Sequence, residues 1–214
     1  KEGVKEHQRT FRGEPPKHLQ AGEVQAPGGG VWTNLQVPFY ADAFGAVDEV
    51  CAVLGYCWER FFPVPSRRIE PFAFERQTAV PGEGAAFFVL TRDGEASYGH
   101  ISQVTQGPRD NRTFAGGTWL INADGHPACS AGYQDLPGGP VAAYTPHYGS
   151  LPVGQAFDLA VAALAVRAGR LPSAPAPGHF PARWRPAAGQ RLAEPVTCLK
   201  GDGEGNYGAI VVEG

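Results

Sequence analysis

The sequence predicts a layered α/β fold, and three segments carry that prediction. Ala85–Leu90 is an unbroken apolar run of strand length, which indicates a strand covered on both faces. Pro152–Ala168 has the apolar spacing of a helix. At the C-terminus two apolar runs flank a glycine-rich turn, as in a β-hairpin. Strands and helices that follow one another in this way are typical of a sheet with helices packed on it.

Two further segments before residue 110 have strand character. Ala46–Leu54 is apolar at most positions, which predicts a short buried strand that runs into a helix. Tyr98–Val104 alternates between apolar and polar residues and follows a turn signal at Asp93-Gly94, so it predicts a second strand with one covered face.

The segment Pro152–Ala168 is the clearest helix of the sequence. Larger apolar residues recur at three- and four-residue spacings, with alanines between them: Phe157, Val161, Leu164 and Ala168. Gly169 and Pro172 supply the stop signal. So many alanines predict close packing against a sheet or another helix. Residues 173–190, which are rich in proline and alanine, are predicted to be a connection without secondary structure.

The C-terminal hairpin is predicted from its two apolar runs and the turn between them. Pro195–Leu199 and Tyr207–Val212 form the strands, and Gly201–Gly205 forms the turn. The loop carries the polar residues Asp202 and Asn206.

Composition limits the classes of function. The 214 residues are 43% hydrophobic and 18% charged, which suits one large or two small globular domains. A net charge of −3 offers no electrostatic attraction to nucleic acid or an anionic membrane. The longest apolar runs are too short to cross a bilayer, and no signal peptide is apparent, so a cytoplasmic location is expected. The four cysteines form no CxxC pair, which argues against a zinc site or a disulfide scaffold.

Two features of the composition suggest that the sequence is not continuous. Methionine is absent, while glycine (29 residues) and proline (20 residues) are abundant. One interpretation is that methionines or disordered stretches of a natural chain are missing, and the alternative is an intact chain free of methionine. Residues 1–40 are predicted to be fragmentary or flexible, with a glycine joint at Gly28–Gly30.

Four short stretches carry a resemblance to a known family. In chain order they are Gly45–Glu49 (GAVDE), Pro71-Phe72 followed by Pro81–Ala86 (PGEGAA), Tyr148–Ser150 (YGS) with the helix exit Gly169–Pro172 (GRLP), and Gly201–Asn206 (GDGEGN). Their order and separations resemble the second half of a β-ketoacyl synthase, a family of the thiolase fold. The resemblance implies a thiolase-like layered α/β sandwich, present as a partial or degenerate copy. Residues 41–214 would be the C-terminal half, and residues 1–40 remain unassigned.

The resemblance also implies an activity and partners. The family condenses acyl thioesters with loss of carbon dioxide, which needs a thiolate to hold the acyl group and donors to stabilise an enolate. It implies an acyl carrier protein as partner, a homodimer or a heterodimer with a synthase, and neither a metal nor a redox cofactor.

Cys129 is the candidate nucleophile, with two interpretations. Its surroundings, Ala128–Gly132 (ACSAG), resemble those of the family's nucleophilic cysteine. However, Cys129 follows the PGEGAA stretch, whereas the family's nucleophile precedes it, so a structural role is the preferred interpretation. Cys51, Cys57 and Cys198 lie among apolar residues and are expected to be small buried side chains.

The resemblance places few donors where the chemistry needs them. The family's first histidine would fall near Ala131-Gly132 and the second on Ser150, so both are replaced. His147 could substitute for the second, although a surface loop residue is the preferred interpretation. Asn206 is the best-matched polar residue, followed by Glu83, which is expected to hold a turn.

Two classes of function follow from the resemblance. The first is a synthase-like protein of fatty-acid or polyketide metabolism, with His147, Asn206, Ser150 and Cys129 as the candidate catalytic residues. The second is a non-catalytic partner, like the chain-length-factor subunits that pair with an active synthase, or an acyl-carrier-binding scaffold. Lys5–Lys17 carries an excess of positive charge that could dock an acidic carrier, although a solvated tail is the preferred interpretation.

Overall fold

The computed structural model describes residues 20–25, 31–37, 41–48, 66–91, 98–108, 117–175, 178–192 and 195–214. The helix expected after Asp48, the cysteines Cys51 and Cys57, and the basic segment Lys5–Lys17 lie outside the described residues.

The described strands form two sheets. The first is antiparallel and four-stranded, in the order β1-β2-β3-β4. Its strands are β1 (Gln20–Gln25), β2 (Val31–Val37), β3 (Ala41–Asp48) and β4 (Gly84–Thr91). Strand β4 falls at the predicted segment. Strand β3 shares only residues 46–48 with the predicted segment Ala46–Leu54, and the rest of that segment lies outside the described residues.

The second sheet is mixed and six-stranded, in the order β5-β10-β9-β6-β7-β8. Its strands are β5 (His100–Pro108), β6 (Thr118–Ile121), β7 (Gly139–Ala142), β8 (Trp184–Pro186), β9 (Val196–Gly201) and β10 (Asn206–Glu213). Strand β6 pairs in parallel with β7 and β9, whereas β10 is antiparallel to β5 and β9. The β9–β10 pair confirms the predicted hairpin.

Three α-helices and a 3₁₀-helix connect the strands of the described ranges. They are α1 (Pro127–Ser130), the 3₁₀-helix Ala131–Asp135, α2 (Thr145–Tyr148) and α3 (Gly154–Ala168). No helix of these ranges is long and apolar enough to cross a membrane.

Helix α3 confirms the predicted helix, with its packing carried by the small residues. Gly169 ends it in the left-handed conformation (φ 64°), and its N–H bonds to the carbonyl groups of Ala165 and Val166. The buried side of the helix carries Ala156, Leu159, Ala162 and Ala165 together with the polar residues Gln155 and Asp158. Leu164, one of the recurring larger residues, is exposed. The alanines therefore allow the helix to lie close to β9 and β10.

Side chains cover both faces of the six-stranded sheet at its centre. On β6, Trp119 and Ile121 face one core with Leu199 of β9, while Leu120 faces the other with Cys198. The second core also contains the alanines of α3. The predicted layered α/β arrangement and the buried position of Cys198 are thereby confirmed.

The prediction that β4 is covered on both faces is wrong. Ala86 and Phe88 pack against α3, but Phe87 and Val89 on the opposite face are 73% and 70% exposed. An unbroken apolar run gives no information about which neighbour covers each face. Here α3 covers one face, and the other is open among the described residues.

The segment 173–190 is also not the featureless connection that was predicted, because it contains β8. Trp184 at the start of this strand is buried and packs edge-on against Phe72 and Phe74. Proline is tolerated in an edge strand, and burial of the large Trp184 ring stabilises β8 at the edge of the described sheet.

Candidate functional site

Two of the glycine stretches singled out in the sequence meet in space. Gly149 has φ of +90°, and a Cβ there would lie 2.5 Å from the Cα of Gly82. A Cβ at Gly82 would overlap the carbonyl oxygen of Tyr148. Only glycine permits this approach of two backbones. The contact brings the first residues of the Tyr148–Leu151 loop against the stretch that precedes β4.

Ser150 is locked into this contact. The residue is 4% exposed, and its backbone N–H donates to the carbonyl oxygen of Val80 at 2.7 Å. Its hydroxyl group donates to the carbonyl oxygen of Asp124 and accepts from the N–H of Val80 at 3.1 Å. The single hydroxyl proton of Ser150 is therefore used within the protein.

A buried polar network lies beside this loop and centres on Asn122. The Asn122 amide nitrogen donates to Oδ2 of Asp158 at 2.6 Å and to Oη of Tyr148 at 2.9 Å. Its Oδ1 accepts from Nζ of Lys200 at 2.6 Å. Asn122, Asp158 and Lys200 are 1%, 0% and 5% exposed. The network joins the end of β6 to α2, α3 and β9.

Two ends of this network reach further along the chain. The Lys200 ammonium also donates to the carbonyl oxygen of Leu151 at 3.2 Å and lies 3.9 Å from Oδ2 of Asp124. The Tyr148 hydroxyl donates to Oδ1 of Asp158 at 2.7 Å. Gly154 makes room for the network, because a Cβ at that position would lie 2.8 Å from the Asn122 amide.

Burial raises the pKa of Asp158 from its usual 3.8 to about 6, although the hydrogen bonds from Tyr148 and Asn122 and the charge of Lys200 act in the opposite direction. Burial and the neighbouring Asp158 carboxylate raise the pKa of Tyr148 well above its ordinary value. The phenol therefore stays protonated and remains a donor.

A second candidate region is a cleft at the turn of the C-terminal hairpin. It is lined by Cys129, Gly132, Tyr133, Leu199, Gly201, Asp202, Gly205, Asn206 and Tyr207, and its volume is about 10 Å³. That volume holds about one water molecule. An acyl chain does not fit in it.

Asn206 is held at the rim of this cleft by Asp202. Its backbone N–H and side-chain amide donate to the two carboxylate oxygens of Asp202 at 2.7 and 2.9 Å. The pKa of Asp202 is lowered overall. Partial burial acts to raise it, but the hydrogen bonds from Asn206 and the turn amides lower it by more. The turn is therefore organised around an ionised carboxylate.

Cys129 lies in the same cleft, in the short helix α1. Its N–H donates to Nδ1 of His126 at 3.4 Å. Burial, with the nearby Asp124 carboxylate second, raises the pKa of the Cys129 thiol to about 12. A nucleophilic cysteine needs the opposite shift, because the thiolate is the reactive form.

The remaining candidates lie elsewhere. His147 is exposed in the last turn of α2, where its ring stacks on Tyr144 with 6.1 Å between ring centroids. Glu83 is exposed just before β4. The structure thus brings Cys129 and Asn206 together in the cleft and places His147 in α2 and Ser150 in the loop that follows α2.

The sequence interpretation did not include Asn122, Asp158 or Lys200. A signal was present, since Asp158 is the only acidic residue of the alanine-rich helix and Lys200 follows the apolar run of a predicted strand. Single charged residues in apolar segments need a partner when they are buried. What the pattern does not reveal is which partner each residue finds.

The pKa of Cys129 predicts slow alkylation. A pKa of about 12 instead of 9.0 reduces the thiolate fraction at neutral pH about a thousandfold. We expect iodoacetamide to label Cys129 no faster than the buried Cys198, as measured by mass spectrometry of tryptic peptides. A Cys129→Ser variant identifies the peptide signal. Fast labelling that an acyl thioester blocks would instead make Cys129 a nucleophile.

The pKa of Asp158 predicts an unusual dependence of stability on pH. A carboxyl whose pKa is raised on folding binds its proton more tightly in the folded state, so the free energy of unfolding falls as pH rises. Between its usual pKa of 3.8 and about 6 this fall amounts to roughly 3 kcal/mol. Urea denaturation across this range should show this contribution as the difference between the natural chain and Asp158→Asn.

An Asp202→Asn variant is the matched control. Because the pKa of Asp202 is lowered, its contribution has the opposite sign and is lost as pH falls. Parallel pH profiles for the natural chain and Asp158→Asn would contradict the assignment to Asp158.

The similarity of this chain to known proteins lies in its structure. No protein-family model matches the sequence, and no curated protein matches it. The ishigamide ketosynthase/chain length factor matches with a TM-score of 0.61 and 16% identity, over 80% of this chain and 53% of that chain.

Two further solved structures match at similar levels. The oxazolomycin ketosynthase domain of Streptomyces albus JA3453 gives a TM-score of 0.56 at 15% identity, over 81% of this chain and 41% of that one. The ketosynthase from module 1 of the bacillaene synthase of Bacillus amyloliquefaciens FZB42 gives 0.55 at 10% identity, over 79% and 42%. The chain spans about half or less of the length of these structures. It therefore has the ketosynthase, thiolase-like fold that the resemblance implied, as a partial copy.

Proposed function

We propose that the chain is a ketosynthase-like protein of fatty-acid or polyketide assembly, and that it acts as a non-catalytic partner of an active synthase. The fold and the four short stretches of the sequence support the first part. One of the similar structures is described as a ketosynthase/chain length factor, which makes a partner subunit a natural candidate within this fold.

The state of Ser150 is the observation that carries the non-catalytic role. A donor that assists decarboxylation has to point at the oxygen on which negative charge develops. The hydroxyl of Ser150 instead donates to the Asp124 carbonyl oxygen, and the side chain is buried against Val80. Ser150 therefore holds the loop in place and has no proton to offer to a substrate.

The cleft around Cys129 supports the same role. Its volume of about 10 Å³ leaves no space for an acyl group, and the raised pKa of Cys129 disfavours the thiolate. The competing function is an active synthase whose nucleophile is supplied from outside the described residues. The exposed Asn206 at the rim of the cleft favours that alternative, since its side chain is accessible.

We expect the chain to release carbon dioxide from malonyl carrier protein weakly or not at all. Each missing oxyanion donor costs roughly 3–4 kcal/mol, so the loss of two slows the reaction by about five orders of magnitude if their effects add approximately. A Ser150→His variant should not restore the reaction, because the site is buried. His147→Ala should behave like the natural chain, with His100→Ala, another exposed histidine, as the matched control.

The active alternative predicts a different result for these four proteins. Turnover of about one per second by the natural chain, lost in His147→Ala and retained in His100→Ala, would contradict the non-catalytic role and make His147 the missing donor.

The outer surface of β4 and β5 supports an assembly with a protein partner. Phe87 and Val89 on β4 are exposed, and Val104 on β5 is 66% exposed. Among the described strands, β4 ends the first sheet and β5 ends the second. Exposed apolar side chains beside sheet edges are typical of protein interfaces.

We therefore expect the soluble species to be a dimer, either with a second copy or with a synthase. Analytical ultracentrifugation at micromolar concentration, with and without an active synthase, measures this. The double variant Phe87→Asp, Val89→Asp should dissociate the dimer, whereas Leu164→Asp on α3, also at an exposed apolar residue, should not. A stable monomer under both conditions would count against the assembly.

A further inference from the structure

Two opposite charges are buried in this protein without touching each other. The Lys200 ammonium and the Asp158 carboxylate each contact one end of the Asn122 amide, at 2.6 Å in both cases. A buried charge is costly unless a partner compensates it. The amide oxygen faces the cation and the amide nitrogen faces the anion, so the amide dipole compensates both charges and fixes its own orientation.

Both ends of this arrangement hold the same loop. Asp158 accepts from the hydroxyl of Tyr148, which is the first residue of the loop. Lys200 donates to the carbonyl oxygen of Leu151, which is the last. Gly149 and Ser150 lie between these two attachment points. The loop is thus held at each end by a charged side chain.

We propose that Lys200, Asn122 and Asp158 form a bridged ion pair that positions the Tyr148–Leu151 loop, and that the charge on Asp158 controls how the loop is held. The proposal concerns the loop itself and does not depend on whether the chain is catalytic. It makes all three residues positioning residues.

The hydrogen-bond inventory explains why the charge matters. An ionised Asp158 only accepts, which suits the two donors that face it, the Tyr148 hydroxyl and the Asn122 amide. Protonation adds an O–H group to the carboxyl, and this group needs an acceptor. Oη of Tyr148 is within reach, so the bond reverses, and the Tyr148 hydroxyl proton loses Asp158 as its acceptor. The hold on the first residue of the loop then changes.

The proton uptake falls in an accessible range, because burial raises the pKa of Asp158 to about 6. Other titratable groups face Asp158 from the surrounding elements. They are Tyr133 in the 3₁₀-helix, Tyr144 just before α2, Tyr148 at the end of α2, and Cys198 and Lys200 on β9, with Asp124 on the far side of Lys200. Burial raises the pKa of each of the three tyrosines and of Cys198, so these groups remain neutral while Asp158 titrates.

Nuclear magnetic resonance tests the proposal on the full chain. We would follow the ¹³Cγ signal of Asp158 and the amide signals of Gly149, Ser150 and Leu151 from pH 4.5 to 7.5, which spans about 1.5 pH units on either side of the expected midpoint. The expected result is one midpoint near 6, shared by the carboxyl and the loop amides. Loop amide signals that do not shift, or that shift with a different midpoint, would overturn the proposal. This result needs only the natural chain.

Variants separate the members of the network. Asp158→Asn should abolish the pH dependence of the loop amides, and Lys200→Met should move the shared midpoint to higher pH because a stabilising cation is lost. Glu213→Gln, which removes a carboxylate at the C-terminal end of β10, should change neither. A loop midpoint that survives in Asp158→Asn would contradict the proposal.

Two histidines of the neighbouring elements provide further control variants. His126 precedes α1 and His147 lies in α2. The shared midpoint should persist in His126→Gln and in His147→Gln. Its disappearance in either variant would assign the titration to that histidine and overturn the role of Asp158.

Discussion

The carboxamide of Asn122 is the interaction on which the arrangement of this region depends. It bridges the buried charges of Lys200 and Asp158 and so ties β6 to β9 and α3. The charge of Lys200 is also offset by the Asp124 carboxylate 3.9 Å away, whereas the contacts of Asp158 are the Asn122 amide and the Tyr148 hydroxyl. A buried charge that loses its partner is costly. Helix α3 begins with Gly154, whose missing Cβ leaves space for the amide. A glycine start and a buried carboxylate on an otherwise alanine-rich helix both serve this network.

The loop beside the network is fixed by a second kind of constraint, close backbone packing. Gly82 and Gly149 let the two chain segments approach, and the hydroxyl of Ser150 then bonds to Val80 and Asp124 across the contact. The hydroxyl of Thr145 donates to the Ala123 carbonyl oxygen, and the buried ammonium of this region comes from Lys200 on β9. Polar groups of this loop thus serve the internal structure.

Sequence periodicity was sufficient for the local elements and insufficient for their environment. Helix α3 and the β9–β10 hairpin repeat on scales of a few residues, which a sequence displays directly. The open face of β4 depends on which element packs on it, and the strand at Trp184 depends on aromatic rings from distant segments. The network was beyond local reasoning, because Asn122 meets Asp158 across 36 positions and Lys200 across 78. Lone charges in apolar segments indicated only that partners exist.

The polar groups of the candidate site are used within the fold, whereas apolar side chains are exposed on β4. This distribution supports the proposal of a protein partner over a small substrate. Ser150, Asn122 and Lys200 use their donors within the fold, and the cleft beside Cys129 has room for about one water molecule. The exposed apolar side chains instead lie on the outer face of β4, where Phe87 and Val89 meet no cover among the described residues. Contact between two apolar surfaces is favourable because it removes both of them from water. Covering this face would add stability, and that is the contact that the proposed partner role needs.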